Sequence, residues 1–560
     1  MRPSRFVSRW ERSTRLSSSG WSGAFKLVVI LLQAALVQSA HAEGDNVPQS
    51  GLKYDIEVEL DPARHRLVGR ERIHFENKSR AAVSSLDFHL YLNAFRDTRS
   101  VFMREGGARL RGQTLRRPGS LIVTALRSAQ GLDLAQPLAV QTELVRGDFT
   151  QLRVRLPLPV QPGAALDIEL EFHAELPRLV ARAGFSDDFF MLGQWFPKLA
   201  KLGDDGRFVS FPYRGFGEFY ADFADYTFTL RVPNEYKVAA SGDCQTVSSD
   251  AKLRTERCRA EHVHDVAWAA YPYFVEHVVQ VAGVTLKLYG PRGYGPALSR
   301  QARVLAQAMP YFEERYGPYP YRSLSAIIPP REAYAASGME YPTLFTSGGP
   351  WWALPSWLPD PQQDIVSIHE LAHQWFSGML ASNEEAHPFL DEGLAQWTSL
   401  DFLQSYYASP PFISALFSFS FGPFQVLRAA YAARPHSAPS SLLSAERYSA
   451  TTLAHAAYVR PALVLDRIAE RRGLPQLTAA VSRYAKQQRF RHPAPKDLYA
   501  AFDSGLGPGW GNRVLKAALE GSEPPALAIA GQQANRAPSG WTYAAELWTL
   551  ASSVLGFLGP

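Results

Sequence analysis

The chain has 560 residues, too many for one ordinary domain, and 46% hydrophobic and 12% aromatic residues fit large folded cores rather than a disordered or fibrous protein. Its formal charge of +5 invites a nucleic-acid or acidic-membrane partner. However, residues 1–42 hold Arg2, Arg5, Arg9, Arg12, Arg15 and Lys26 against Glu11 alone, a net +5 that leaves the remainder at 0 and removes the electrostatic case for nucleic acid.

Residues 1–42 read as a secretory signal peptide. A basic start precedes the apolar run Leu27–Leu32, which continues to Val37, and Ala40-His41-Ala42 offers a small-residue cleavage site. The run is too short to span a bilayer comfortably. The protein is therefore expected to be exported, periplasmic or extracellular, with no stable membrane span once the signal is removed.

Residues 43–285 predict an N-terminal β-rich domain. Tyr54–Leu60, Arg72–Phe75, Leu166–Phe172 and Tyr226–Val232 alternate with period two, the pattern of strands with one covered face. Cys244 and Cys258 flank a polar stretch that suggests a hairpin, and an oxidising compartment favours their pairing.

The pattern changes at Tyr289–Gly293. Residues 286–505 predict a mainly helical domain, with helices at Leu298–Arg315, Leu442–Tyr448, Thr451–Arg472 and Leu477–Gln487 and a strand at Leu324–Ile328. A Gly/Pro-rich break at Gly505–Gly511 opens a short C-terminal tail, 506–560. Its apolar run Leu547–Leu558 is short and is expected to pack on the protein or a surface. The fold class is α+β and multidomain.

The chemistry concentrates in His369-Glu370-Leu371-Ala372-His373. Residues i and i+4 share one helix face, so both imidazoles reach a single metal ion, and Glu370 between them is a candidate general base for water. Ile365, Val366, Ile368, Leu371, Ala372, Trp375 and Phe376 give that helix a broad apolar surface, and Gly378 is its stop. Eighteen residues separate His373 from Glu392, which opens another helix-like run. Two His and one Glu form the donor set of a catalytic zinc that keeps one position open.

Together these residues resemble the zinc aminopeptidases of the gluzincin class, the family of membrane alanyl aminopeptidase and leukotriene hydrolase, over roughly residues 50 to 500. Ser337-Gly338-Met339-Glu340-Tyr341 is similar to the family's Gly-x-Met-Glu-Asn motif. The resemblance implies that Glu340, with Gly338 and Met339 beside it, binds the free amine of the substrate. Ser337 and Tyr341 depart from that motif. Ala457-Tyr458-Val459-Arg460-Pro461 resembles the segment whose Tyr stabilises the oxyanion, with Arg460 and Pro461 departing from it. Gln194, in Gly193-Gln194-Trp195, resembles a substrate-lining Gln.

The implied architecture is a saddle-like β-domain followed by a thermolysin-like catalytic domain. The implied function is release of N-terminal residues from peptides, using one Zn2+ held by His369, His373 and Glu392 with Glu370 and Tyr458 as catalytic groups. The rival readings are a zinc hydrolase of another bond, such as an internal peptide bond or an epoxide, and a non-catalytic binding module on a peptidase fold.

Overall fold

In the computed structural model of the chain, the alternating stretches form one wide sheet. Its longer strands are β1 (Leu52–Asp61), β2 (Arg66–Glu76), β3 (Ser120–Ser128), β4 (Ala165–Glu175), β5 (Ala224–Pro233), β6 (Asp243–Ser249) and β7 (Leu253–Val263). They lie in the order β6-β7-β5-β1-β2-β4-β3, with Gln136–Pro137 beyond β3. β1 pairs antiparallel with β2 and parallel with β5. The described residues are 51–521, apart from 108–112, 129–135, 138, 143–147, 218, 349–360, 408–412, 415–419 and 433–438. The expected signal segment 1–42 and the run Leu547–Leu558 lie outside them.

Period-two patterning explains why the sheet has one dry face. Ile56, Ile73, Ile168 and Phe228 are buried on it. The other face carries ion pairs, including Arg70–Glu57 at 2.9 Å and Arg72–Glu169 at 3.0 Å. Such exposed pairs add little stability, but they keep a broad sheet face solvated. Among the described residues, no helix is long and apolar enough to cross a membrane.

Cys244 and Cys258 stand opposite each other on the antiparallel pair β6–β7 and form a disulfide. The bridge closes a short loop, so its removal is expected to cost about 2–3 kcal/mol on the chain-entropy account. Equilibrium denaturation of the wild type against Cys244→Ala/Cys258→Ala checks this.

A second sheet carries the chain into the helical part. The hairpin of β8 (Phe274–Val281) and β9 (Val284–Pro291) is extended in parallel by β10 (Ser323–Ile327) and β11 (Leu344–Thr346). The domain boundary expected at 285 falls within this hairpin, whose second strand belongs to the same sheet as the first.

The main helices are α1 (Gly295–Tyr316), α2 (Pro361–Phe376), α3 (Glu392–Tyr406), α4 (Arg460–Arg472), α5 (Leu474–Gln487) and α6 (Pro495–Leu506). The α+β order, β-rich first and mainly helical second, is as expected. Two details differ from the sequence reading. Leu442–Tyr448 supplies only a 3-10 turn, Ala445–Arg447. There Ser440 competes with helix formation: its hydroxyl accepts the Leu442 N–H at 3.1 Å and its carbonyl accepts the Tyr448 hydroxyl at 2.6 Å. Thr451–Arg472 is helical, but a π-helical turn, Ala454–Val459, widens it in the middle.

Candidate active site

α2 is buried on most of its surface. Ile368, Leu371, Ala372, Trp375 and Phe376 all pack inward. Trp375 donates to the Gly317 carbonyl at 2.9 Å, and the buried pair Arg300–Asp364 fixes α2 against α1. Gly378 closes the helix by donating to the His373 carbonyl at 2.7 Å. With so many anchors, the two histidines have little freedom to turn away.

His369 Nε2 and His373 Nε2 lie 3.0 Å apart. Glu392 is the first residue of α3, where the helix dipole favours a carboxylate. Its Oε2 lies 3.1 Å from the first imidazole nitrogen and 3.3 Å from the second. A tetrahedral zinc with bonds near 2.0 Å has ligand–ligand edges of about 3.3 Å, so the triangle has the dimensions of a zinc donor set.

The electrostatics fit a cation at the same point. Glu340, Glu370, Asp391 and Glu392 are all buried here. Burial, then repulsion from Glu340, pushes the Glu370 carboxyl well above the usual range. Burial alone would also raise Glu392, but His373 and His369 pull it below that range. Among the described residues, Glu370 Oε2 is buried without a hydrogen-bond partner. Several inward carboxylates around two convergent imidazoles are stable when a divalent ion offsets their charge. The residues present therefore fit zinc.

Sequence reading missed Asp391. An acid just before a helix reads as an N-cap, yet this side chain makes no cap bond. Its Oδ1 instead lies 2.5 Å from His373 Nδ1. That contact fixes the imidazole with Nε2 turned toward the donor triangle. Asp391→Asn is expected to weaken zinc affinity by about 10–100-fold without unfolding the protein. Competition titration against a chelator, alongside a thermal melt, measures both.

Tyr458 reaches this centre from the π-helical turn. Its ring stacks on His369 with centroids 5.9 Å apart, and its hydroxyl donates to Glu392 Oε1. Gly393 explains how the two helices come so close. A Cβ there would sit 2.5 Å from the Pro461 side chain, so glycine is required opposite Pro461. Arg460 is wholly buried and turned elsewhere, with Nε donating to the Tyr431 hydroxyl at 3.2 Å.

Glu340 arrives on the segment leading into β11 and is buried. One of its carboxylate oxygens lies within 4.8 Å of ligand atoms of His373 and Asp391. Gly338 donates its N–H to Thr346 at 2.9 Å, and its carbonyl accepts from Arg182. Met339 is bridged to Thr346 and buried. The Gln194 amide donates to Asp265 at 2.8 Å, and Asp265 in turn pairs with the buried Lys198 at 2.8 Å. Gly193 touches Tyr341 directly, since a Cβ on it would meet the phenol oxygen at 2.0 Å. Thus the β-domain residue Gly193 is joined to the Glu340 segment, whereas the Gln194 amide is held by Asp265.

A helix with the His-Glu-x-x-His spacing, completed by a glutamate on the following helix, defines the class of zinc peptidases whose third protein ligand is Glu. Residues 300–515 match the Peptidase family M1 domain. The M1 metallopeptidase family implies zinc. Aminopeptidase 2 of Candida albicans is 25% identical over 234 residues, covering 40% of this chain. The match spans 24% of that relative's length. An M1 zinc metallopeptidase from Deinococcus radiodurans is similar in fold, with TM-score 0.59, 18% identity and coverage of 86% of this chain and 96% of that one. A structure of the Deinococcus enzyme bound to a Tyr-Ser-Ala substrate gives TM-score 0.57 at 18% identity, again covering 86% of this chain and 96% of that one.

Proposed function

We propose that the chain is a zinc aminopeptidase that removes N-terminal residues from peptides. The observation that carries this reading is the position of Glu340. A carboxylate from a separate segment lies within 4.8 Å of the His373 and Asp391 ligand atoms. A protonated amine seated on it exchanges water for a buried charge partner, and the peptide bond next to that amine then falls beside the donor triangle. The Tyr-Ser-Ala substrate of the Deinococcus neighbour supports peptides as the substrate class.

His369, His373 and Glu392 would hold one zinc ion, because the second cluster of possible donors shares His373 with the first. Zinc, when bound, supplies a Lewis acid that acidifies water and polarises a carbonyl. Glu370, buried and without a partner on Oε2, takes the proton of the attacking water and passes it to the leaving amine. Tyr458 turns its hydroxyl from Glu392 toward the oxyanion. Gln194 stays a candidate substrate-lining residue by resemblance alone, since its amide donates to Asp265.

Export is part of the same proposal. The expected signal segment argues for it, and the Cys244–Cys258 bridge is consistent with an oxidising compartment.

The test is a panel of aminoacyl anilides and their N-acetylated counterparts, assayed with and without a zinc chelator. Chelator-sensitive cleavage of the free-amine forms alone is expected. Equal cleavage of acetylated forms would sink the aminopeptidase assignment, leaving an endopeptidase or other hydrolase. Cleavage that survives zinc removal would sink the metal assignment, and no cleavage of any form would favour a binding module.

A further inference from the structure

The turn that follows Glu340 is built from residues poorly suited to it. The Leu344 N–H donates to the Tyr341 carbonyl at 3.0 Å, which closes a four-residue turn over Tyr341-Pro342-Thr343-Leu344. Thr343, the third residue, has φ of 62°. A turn with Pro second and positive φ third favours Gly or Asn at that third position. A β-branched residue there is strained, and strain of this kind persists only where surrounding contacts impose it.

Those contacts are on the page, and one of them comes from the metal helix. Gln374 follows His373 on α2 and is 1% exposed. Its Oε1 accepts the Thr343 N–H at 2.8 Å, and its Nε2 donates to the Tyr341 carbonyl at 3.1 Å. One amide therefore spans the turn, gripping the residue directly after Glu340 and the strained residue two further on. Ser325 and Gly242 complete the hold, donating to the Thr343 carbonyl at 3.0 Å and to its Oγ1 at 2.6 Å.

We propose that Gln374 is a positioning residue that sets the Glu340 carboxylate at a fixed distance from the His369–His373–Glu392 centre, so that the helix holding the metal also templates the amine-binding loop. The proposal rests on the aminopeptidase reading above. Gln374 touches no reacting atom; it acts on where the substrate's N-terminus is held. Its loss should therefore weaken recognition of the free amine more than it slows the chemistry.

The experiment compares wild type, Gln374→Met, Thr343→Gly and the double variant, with zinc content measured for each. Met keeps the volume and removes both hydrogen bonds. For a free-amine aminoacyl anilide, Gln374→Met is expected to raise KM by roughly tenfold with a smaller change in kcat and full zinc occupancy. Glycine takes positive φ without strain, so Thr343→Gly in the Gln374→Met background is expected to recover much of that KM loss. A merely structural role for Gln374 predicts no such rescue. Wild-type KM in Gln374→Met, or a KM loss that Thr343→Gly leaves untouched, overturns the proposal. If the wild-type enzyme itself treats free and acetylated substrates alike, the aminopeptidase reading fails instead, and the two failures are told apart.

Discussion

Replacing Glu370 by Gln is expected to lower kcat by about 10³-fold or more, near the upper end of what a general base contributes, while zinc content stays at the wild-type level. The change is nearly isosteric and removes only the ability to take a proton. The same substitution should not destabilise the protein. Glu370 is buried, its Oε2 has no partner, and burial and Glu340 both push its carboxyl up, so a neutral amide relieves repulsion. Turnover, metal analysis and a melting curve on one preparation decide the matter. Near-normal turnover in a zinc-loaded variant with an unchanged melting curve contradicts the assignment of Glu370 as the base.

The second large effect concerns selectivity rather than rate alone. On the aminopeptidase proposal, Glu340→Ala leaves the buried amine of a bound substrate without its counter-charge, and breaking such a pair costs about 3–5 kcal/mol. The expected result is a fall of roughly 10²–10⁴-fold in kcat/KM for free-amine substrates. N-acetylated substrates carry no charge there, so their slow cleavage should change little. The diagnostic quantity is the ratio of the two kcat/KM values, measured in parallel for wild type and variant. An unchanged ratio removes Glu340 from amine recognition.

Much of this site was legible before any coordinates, for a definite reason. His369 and His373 are one helical turn apart, so local geometry alone brings them together. Glu392 opens the next helix of the chain, so only one connection stands between it and the pair. The strands of the wide sheet were legible because one face is dry, which imposes strict alternation.

Other features depend on contacts between distant segments and leave little local trace. Asp391 looks like a helix cap until its carboxylate is seen on His373. Gln374 looks like one more residue of a buried helix, and its role depends on a turn some thirty positions earlier. The π-helical turn beneath Tyr458 is a backbone register that side-chain periodicity does not reveal. The tie between Gln194 and Asp265 joins residues on separate segments, and no spacing rule connects them.

The contact between Gly193 and Tyr341 has a consequence for sequence variation. The phenol occupies the space that a Cβ at 193 would need, so the two positions share one volume. Among homologous chains, a residue larger than glycine at 193 should occur only with a side chain shorter than tyrosine at 341, and the two should change together. Tyr341 and Gly193, about 150 positions apart in sequence, are then expected to be exchanged as a unit.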